Sequence, residues 1–313
     1  MEKLQHIKGT PKGYLALTTT CILWGTTWVA SKVAVAEIPG LQLAYIRQFI
    51  AGSCFLLFFL LVKKLPLPTL KEFKSLLVMS VLMFVLANGL STWGLKYLPT
   101  GLASLIGSLF PLTIVIIEWI FYKKRNVSKL TFIGLLVGIA GVAFVFYQHM
   151  FEHHLDNELI LGLSLSIIAI ISWSLGVVFL SRHTLKINPY YGMGWQMIMS
   201  SVIVFVIAHF TQPVVPLASI SHNSWMAVLY LIVAGSIISF IAFIYSLKTL
   251  PSAISSLFAY VNPIVAIITA SILLDEKLTV TILIGTIITL IGVYLVNYSV
   301  RKDQHDVIVE AEI

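Results

Sequence analysis

Residues 98–111 read LPTGLASLIGSLFP, and residues 250–263 read LPSAISSLFAYVNP. Each stretch has a proline near its start, a second proline at its end and a serine between them, at Ser104 and Ser256. A proline inside a helix removes a backbone donor and leaves a carbonyl group free. In a bilayer that carbonyl needs a partner within the protein or in a wet cavity. The repeat therefore predicts two related cavity-lining helices, with helix breaks at Pro111 and Pro263.

The composition is far too apolar for a soluble domain. Of the 313 residues, 58% are hydrophobic and 11% are charged, and the mean hydropathy is +0.97. About 20 apolar residues are needed to cross a bilayer. The sequence therefore predicts an all-α integral membrane protein with ten transmembrane helices, over residues 13–35, 41–62, 74–95, 100–122, 129–147, 158–180, 189–210, 222–247, 252–274 and 278–299.

The 20 Lys and Arg residues are unevenly divided between the two ends of these spans. Sixteen fall in tails and loops on the side of the membrane where the N-terminus lies. Lys96 and Lys277 fall on the opposite side, and Lys32 and Arg47 lie within spans. Cytoplasmic loops are the ones enriched in Lys and Arg. We therefore expect a multi-pass protein of the cell (inner) membrane with both termini in the cytoplasm. The net charge of +7 reflects this topology and does not indicate a nucleic-acid partner.

Ten spans divide into five and five, and an odd number of spans makes the second unit enter the membrane from the opposite side. We predict two inverted five-helix repeats, over residues 13–147 and 158–299. Trp24 corresponds to Trp173, and Gly134 and Gly141 in span five correspond to Gly285 and Gly292 in span ten. Small residues at this spacing allow close helix packing in lipid. The sequence leaves open whether they join the two halves or two protomers of a homodimer.

Polar and aromatic residues lie at comparable depths in five or six of the spans, which predicts a wet pocket near the bilayer midplane. The alternative for each hydroxyl is a hydrogen bond back to its own helix. Buried indole, amide and phenol groups have a stronger need for a partner. The candidate substrate-binding residues are Trp24, Asn88, Ser104, Trp173, Ser239, Ser256 and Tyr260.

Charged residues within spans are candidates for gating residues or charge partners. Arg47 lies six residues into span two, where a substrate carboxylate or a loop acid such as Glu37 could pair with it. Lys32 lies near the end of span one, where a long side chain can reach the interface. Glu118 lies near the basic residues 123–125, and we interpret it as part of an interface ion pair. Proton coupling through a midplane carboxylate is not supported.

Motifs of enzymes and metal sites are absent from the sequence. It contains no HExxH, no GxSxG and no phosphate-binding glycine loop. The histidines of the 148–157 connection suit a solvated loop better than a metal site. We therefore expect no enzymatic activity, no cofactor and no metal.

Several short motifs, in their order along the chain, resemble a known family. They are Trp24–Gly25 followed by Lys32, the Arg47 start of span two, the LP motifs at Pro99 and Pro251, and LLDEKLT at 273–279. Together they resemble the drug/metabolite transporter superfamily, specifically its ten-span EamA type. Glu276 matches the acid that ends span nine in that family, whereas its first-half counterpart here is Lys124.

That resemblance implies a carrier that exports small metabolites such as amino acids across the cell membrane by alternating access. It implies that spans one, three, four, six, eight and nine line the cavity and that spans five and ten serve for packing. The expected partners are a small-molecule substrate and the lipid bilayer. The alternatives are a multidrug or cation exporter, which needs an acidic pocket, and a membrane scaffold that transports nothing.

Overall fold

The computed structural model describes residues 10–122, 128–153, 156–182, 186–250, 252–255 and 257–312. Within these residues the chain is all helix and connections, as predicted. The ten helical passes are α1 (Pro11–Val35), α2 (Gly40–Val62), α3 (Leu70–Gly94), α4 (Thr100–Ser108 and Phe110–Tyr122), α5 (Lys129–His153), α6 (Asn157–Arg182), α7 (Pro189–Thr211), α8 (His222–Thr249), α9 (Ser252–Ser255 and Phe258–Leu273) and α10 (Val280–Glu312).

Eight helical stretches of the described chain are long and apolar enough to cross a membrane. They belong to α2 through α8 and to Val280–Val300 of α10. The main part of α9, Phe258–Leu273, is apolar but shorter, and α1 carries more threonine and tryptophan than the others. The protein is a multi-pass membrane protein.

Local sequence signals determine where several helices begin. The hydroxyl of Thr10 accepts a hydrogen bond from the backbone N–H of Gly13, and Pro11 occupies the first turn of α1. Thr69 and Glu72 form a capping box at the start of α3. Side-chain acceptors at these positions satisfy backbone donors that a helix leaves unpaired at its N-terminus.

Contacts between helices follow a two-repeat pattern. The helix α1 packs on α8 and α9, and its counterpart α6 packs on α3 and α4. The remaining main contacts join α2 to α7, α5 to α10, α4 to α9, α3 to α7 and α2 to α8. Each helix of the first half has a counterpart five positions later, so that α1 corresponds to α6 and α5 to α10. When every helix is replaced by its counterpart, each of these contacts becomes itself or another contact of the set. The core of the molecule therefore lies between the halves, and both halves contribute to it.

Glycines bring α5 and α10 into backbone contact. A Cβ atom added to Gly292 would lie 2.2 Å from the backbone nitrogen of Gly138. One added to Gly141 would lie 2.5 Å from the backbone nitrogen of Thr289. In this structure the glycines of spans five and ten therefore join the two halves of one chain.

Besides the last part of α2, Phe58–Val62, two described helices contain π-helical segments, which lie at corresponding positions and were not predicted from the sequence. They are Ser80–Gly89 in α3 and Leu231–Ile238 in α8. A π-turn spaces the backbone hydrogen bonds more widely than an α-turn does, and such turns occur often at functional sites. The pair occupies the middle of two counterpart helices, which again relates the halves of the chain.

The repeated prolines do not break both helices in the predicted way. In α4 the break is a turn at Leu109, so that Pro111 is the second residue of the following piece. In α9 the turn lies at Leu257, and the helix continues through Pro263. The predicted break at Pro263 is therefore wrong. One missing N–H removes a single hydrogen bond, and the helix is held on both sides of it by packing against α1 and α4.

Candidate functional site

A cavity of about 220 Å³ lies between the two halves of the bundle. The first half lines it with residues of α1, α2, α3 and α4, and the second half with residues of α6, α8 and α9. Of the seven predicted binding residues, Trp24, Asn88 and Trp173 lie on its wall. Neither α5 nor α10 contributes a described lining residue.

Trp24 joins three helices at one part of the cavity wall. Its indole Nε1 donates a hydrogen bond to the carbonyl oxygen of Gly235, in the π-segment of α8, at 3.3 Å. Its ring packs against Phe240, Phe243 and Phe258, with centroid distances of 5.3, 4.9 and 5.5 Å. Aromatic pairs at such distances are favourable beyond the area that they bury. Trp24 is therefore held in place by both its polar and its apolar surface.

The second residue of the Trp-Gly motif, Gly25, lies where α1 approaches α9 too closely for a side chain. A Cβ atom at Gly25 would lie 2.5 Å from the Cβ of Val265 and 3.2 Å from the carbonyl oxygen of Asn262. Its absence lets α1 pack directly against α9. That close packing sets Trp24 and Asn262 on neighbouring parts of the wall.

Asn88 is oriented by a hydrogen-bond network behind the wall. The side-chain nitrogen of Gln48 lies 3.2 Å from the carbonyl oxygen of Phe84, which can only accept. The same nitrogen lies 3.1 Å from the Oδ1 of Asn88, and the hydroxyl of Ser200 donates to the Oε1 of Gln48 at 2.6 Å. The amide orientations are therefore fixed by the network. The remaining group of Asn88, its Nδ2 donor, is left for the cavity that Asn88 lines.

Arg47 also lines the cavity, and its Nε is buried without a hydrogen-bond partner among the described residues. Of the two partners considered for Arg47 from the sequence, a substrate carboxylate and a loop acid such as Glu37, Glu37 is bound elsewhere. Glu37 instead accepts hydrogen bonds from the backbone N–H and the hydroxyl of Ser221, at 2.9 and 2.7 Å. These two bonds, from the backbone first and then from the hydroxyl, lower the pKa of the Glu37 carboxyl from its ordinary value.

Asn262 is a wall residue that the sequence analysis missed. Its Oδ1 is buried and has no hydrogen-bond partner among the described residues. An amide directly before Pro263 in an apolar stretch was visible in the sequence, and buried amides need partners. Trp28, Phe110, Phe240 and Phe258 were also missed, because apolar side chains at helical spacing look the same on a cavity wall as in a lipid-facing or core position.

Three other predicted binding residues, Ser104, Ser239 and Tyr260, do not line the cavity. Ser104 and Ser239 donate to carbonyl oxygens of their own helices, at Gly101 and Ala234. The hydroxyl of Tyr260 donates to the carbonyl oxygen of Val293 at 3.2 Å and accepts from the amide of Asn297, so it joins α9 to α10. Ser256 lies outside the described residues. In α4 the wall is formed by Ala103, Ile106, Gly107 and Phe110, and not by the predicted Ser104.

Lys32 and Glu276 connect loops at the end of the bundle where Glu37 lies. The ammonium of Lys32 donates to the carbonyl oxygens of Leu95 and Leu98, at 2.9 and 2.6 Å. The carboxylate of Glu276 accepts from the backbone N–H groups of Thr100 and Gly101, at 2.9 and 3.3 Å. A carboxylate at a helix N-terminus is favoured by the free donors and by the helix dipole. These contacts link α1, the α3–α4 connection and the α9–α10 connection.

Comparison with known proteins identifies the family. The EamA-like transporter family matches residues 11–147 and again residues 160–298. The chain belongs to the EamA-like transporter family. It is thus a membrane transporter, and its predicted membership of the drug/metabolite transporter superfamily is confirmed.

Relatives that align with most of this chain are also named as transporters. The uncharacterized transporter YoaV of Bacillus subtilis is 26% identical over 293 residues, which cover 93% of this chain and 98% of YoaV. The uncharacterized inner membrane transporter YedA of Escherichia coli is 29% identical over 266 residues, or 84% of this chain and 83% of YedA. A solved crystal structure with 17% identity covers 91% of this chain and 96% of its own, with a TM-score of 0.64, which shows the shared fold.

Proposed function

We propose that this transporter exports small metabolites, such as amino acids, across the cell membrane by alternating access through the cavity between its halves. The observation that carries the proposal is the composition of the cavity wall. Trp24 comes from the first repeat and Trp173 from the second, and polar groups such as Asn88 and Asn262 lie between them. A site shared by two related halves becomes accessible from either side when one half moves against the other.

We further propose that both termini are cytoplasmic and that the partners are a small-molecule substrate and the lipid bilayer, with no nucleic acid. The excess of Lys and Arg in the connections on the N-terminal side supports this orientation. The catalytic alternative has no support from the cavity, whose described lining residues include Arg47 but no carboxylate, histidine or cysteine. The pairing of two copies as a homodimer stays a prediction, and its test is the mass of the purified protein in detergent.

A cation or multidrug exporter is the second candidate for the same cavity. Such a substrate favours acidic wall residues, whereas the charged residue on the described wall is Arg47. The scaffold alternative would not need polar groups at the junction of the halves. Both alternatives therefore have less support than export of small metabolites.

The experiment is transport by the purified full-length protein in vesicles, against a panel of amino acids, other small metabolites and cationic drugs. We expect a gradient-driven flux of at least one small metabolite and none of the cationic drugs. Flux of cationic drugs alone would favour the second candidate. If no solute moves in either direction under any gradient, the proposal is wrong.

A further inference from the structure

Three groups on the cavity wall have hydrogen-bonding capacity that the described residues do not use. Arg47 Nε and Asn262 Oδ1 are buried without partners. Asn88 has its oxygen engaged by Gln48, and its Nδ2 is left over. Buried polar groups are paired in most proteins, and unpaired ones call for an explanation. Two of these three groups are donors and the third is an acceptor.

The charge of the wall narrows the identity of the missing partner. A cation taken from water into a protein interior is unfavourable unless an anion pairs with it. The described lining residues contain no acid, and Glu37 is engaged with Ser221 instead. A carboxylate carries the negative charge that Arg47 needs. Its oxygens only accept hydrogen bonds, so they match the N–H donors of the Arg47 guanidinium and of the Asn88 amide.

The other wall residues and the cavity volume indicate the polarity and the size of the rest of the ligand. Trp24, Trp28 and Trp173 offer apolar faces, and Asn262 offers an acceptor that needs a donor. Pockets for drug-sized ligands measure about 300–1,000 Å³. A cavity of about 220 Å³ therefore suits a smaller solute.

We propose that the cavity selects small carboxylates with an apolar body and a hydrogen-bond donor, with Arg47 and the Nδ2 of Asn88 binding the carboxylate and Asn262 accepting from the donor. This inference rests on the proposed function, because it names the substrate class of the same cavity. Gln48 is a positioning residue, since it holds the Asn88 amide with its nitrogen toward the ligand.

The test measures binding to the purified full-length protein through the fluorescence of the wall tryptophans. The probes are 3-phenylpropanoate and L-phenylalanine, each compared with its carboxamide, which lacks the negative charge of the carboxylate. A hydrogen bond to a charged group corresponds to about a tenfold to hundredfold change in affinity. We expect each acid to bind at least about tenfold more tightly than its amide. Equal binding of acid and amide in the wild-type protein would overturn the proposal, and this comparison needs no variant.

Variants then assign the selectivity to residues. Arg47→Gln should remove the preference for acid over amide, whereas Arg47→Lys, which retains the charge, should preserve it. Lys96→Gln removes an exposed positive charge from the nearby loop and should change nothing. Asn262→Ala should weaken binding of L-phenylalanine, which has a donor, and leave 3-phenylpropanoate unchanged. Retention of the acid preference by Arg47→Gln would overturn the assignment.

The positioning role of Gln48 has its own readout. Gln48→Ala should reduce the ratio of acid to amide affinity, because Asn88 is then free to turn its oxygen toward the ligand. An unchanged ratio would contradict this role. If neither acid binds to the wild-type protein, the substrate class is wrong, whereas flux of any other metabolite in the vesicle panel would still support the proposed function.

Discussion

The indole Nε1 of Trp24 lies 3.3 Å from the carbonyl oxygen of Gly235 and donates a hydrogen bond to it. This bond connects the first helix of one repeat to the π-segment of the other, across the junction where the cavity lies. The two halves are thus joined at the cavity by a backbone acceptor as well as by side-chain packing.

We predict that Trp24→Phe destabilises the protein by about 0.5–1.5 kcal/mol, the usual net value of one hydrogen bond. Phenylalanine keeps an aromatic ring next to Phe240 and Phe258, but it removes the N–H donor and part of the indole volume. Thermal unfolding in detergent measures it. Trp119→Phe, on an exposed part of α4, is the matched control and should have little effect. Equal stability of Trp24→Phe and wild type would show that the bond contributes nothing.

Asn88 and Trp173 are the wall residues whose loss should stop transport without affecting folding. We predict that Asn88→Ala and Trp173→Ala each abolish flux in vesicles while the proteins still insert into the membrane at wild-type levels. Ser75→Ala, a partly buried position of α3 that does not line the cavity, should retain full flux. Wild-type flux in both cavity variants would exclude the cavity as the substrate site.

The glycine contact between α5 and α10 predicts a strong effect of a single methyl group. In Gly292→Ala the new Cβ meets the backbone of Gly138 at 2.2 Å, and backbone atoms cannot move aside easily. Overpacking of this kind destabilises by about 1–3 kcal/mol. Gly89→Ala is the control, because its Cβ would meet its nearest neighbour at 3.5 Å. Unfolding by denaturant should separate the two variants, and equal behaviour would contradict the packing argument.

Glu276 caps the first piece of α4 and so should contribute to stability. Loss of a side-chain cap destabilises a helix by about 0.5–2 kcal/mol, and we predict an effect of this size for Glu276→Ala. Lys277→Gln changes a neighbouring exposed charge and should be neutral. Thermal unfolding of the two variants checks the prediction. A loss of stability in Lys277→Gln as large as in Glu276→Ala would indicate a general charge effect.

Glu37 gives the fold a pH dependence in the acid range. Its pKa is lowered from the ordinary value of 4.5, so the carboxylate stabilises the folded state above that pH. The contribution is lost as the pH falls through the folded-state pKa. We predict that Glu37→Gln lowers the melting temperature near pH 7 and that the difference from wild type disappears as the pH falls below the folded-state pKa. A difference that grows on acidification would reverse the sign and refute the linkage.

Much of the fold follows from the sequence, because hydropathy marks helices long enough to cross a bilayer. The helix Pro189–Thr211, for example, begins and ends within one residue of its predicted span. The π-segments of α3 and α8 could not be predicted, since residues such as Leu231 and Val233 suit either helical type. The break in α9 was placed at Pro263 because proline is a visible signal, whereas the observed turn at Leu257 has no such mark.

The sequence predicted a cavity between the halves and some of its wall residues, but not which side of each helix forms the wall. Trp24 and Trp173 were identified because large side chains with a polar atom are conspicuous inside an apolar span. Ser104 was predicted on the wall and does not line the cavity, because the sequence does not reveal which side of α4 faces the other half. The role of Gln48 depends on a contact with Asn88 from a different helix, so it required the structure.

The acceptor used by Trp24 belongs to a peptide group of the π-segment and not to a side chain. No amino-acid replacement at position 235 deletes that oxygen, so alanine scanning cannot detect its contribution. Exchange of the backbone amide for an ester at the peptide bond that follows Gly235 weakens the acceptor and leaves every side chain in place. Chemical synthesis or ester incorporation therefore reaches a part of this transporter that mutagenesis does not.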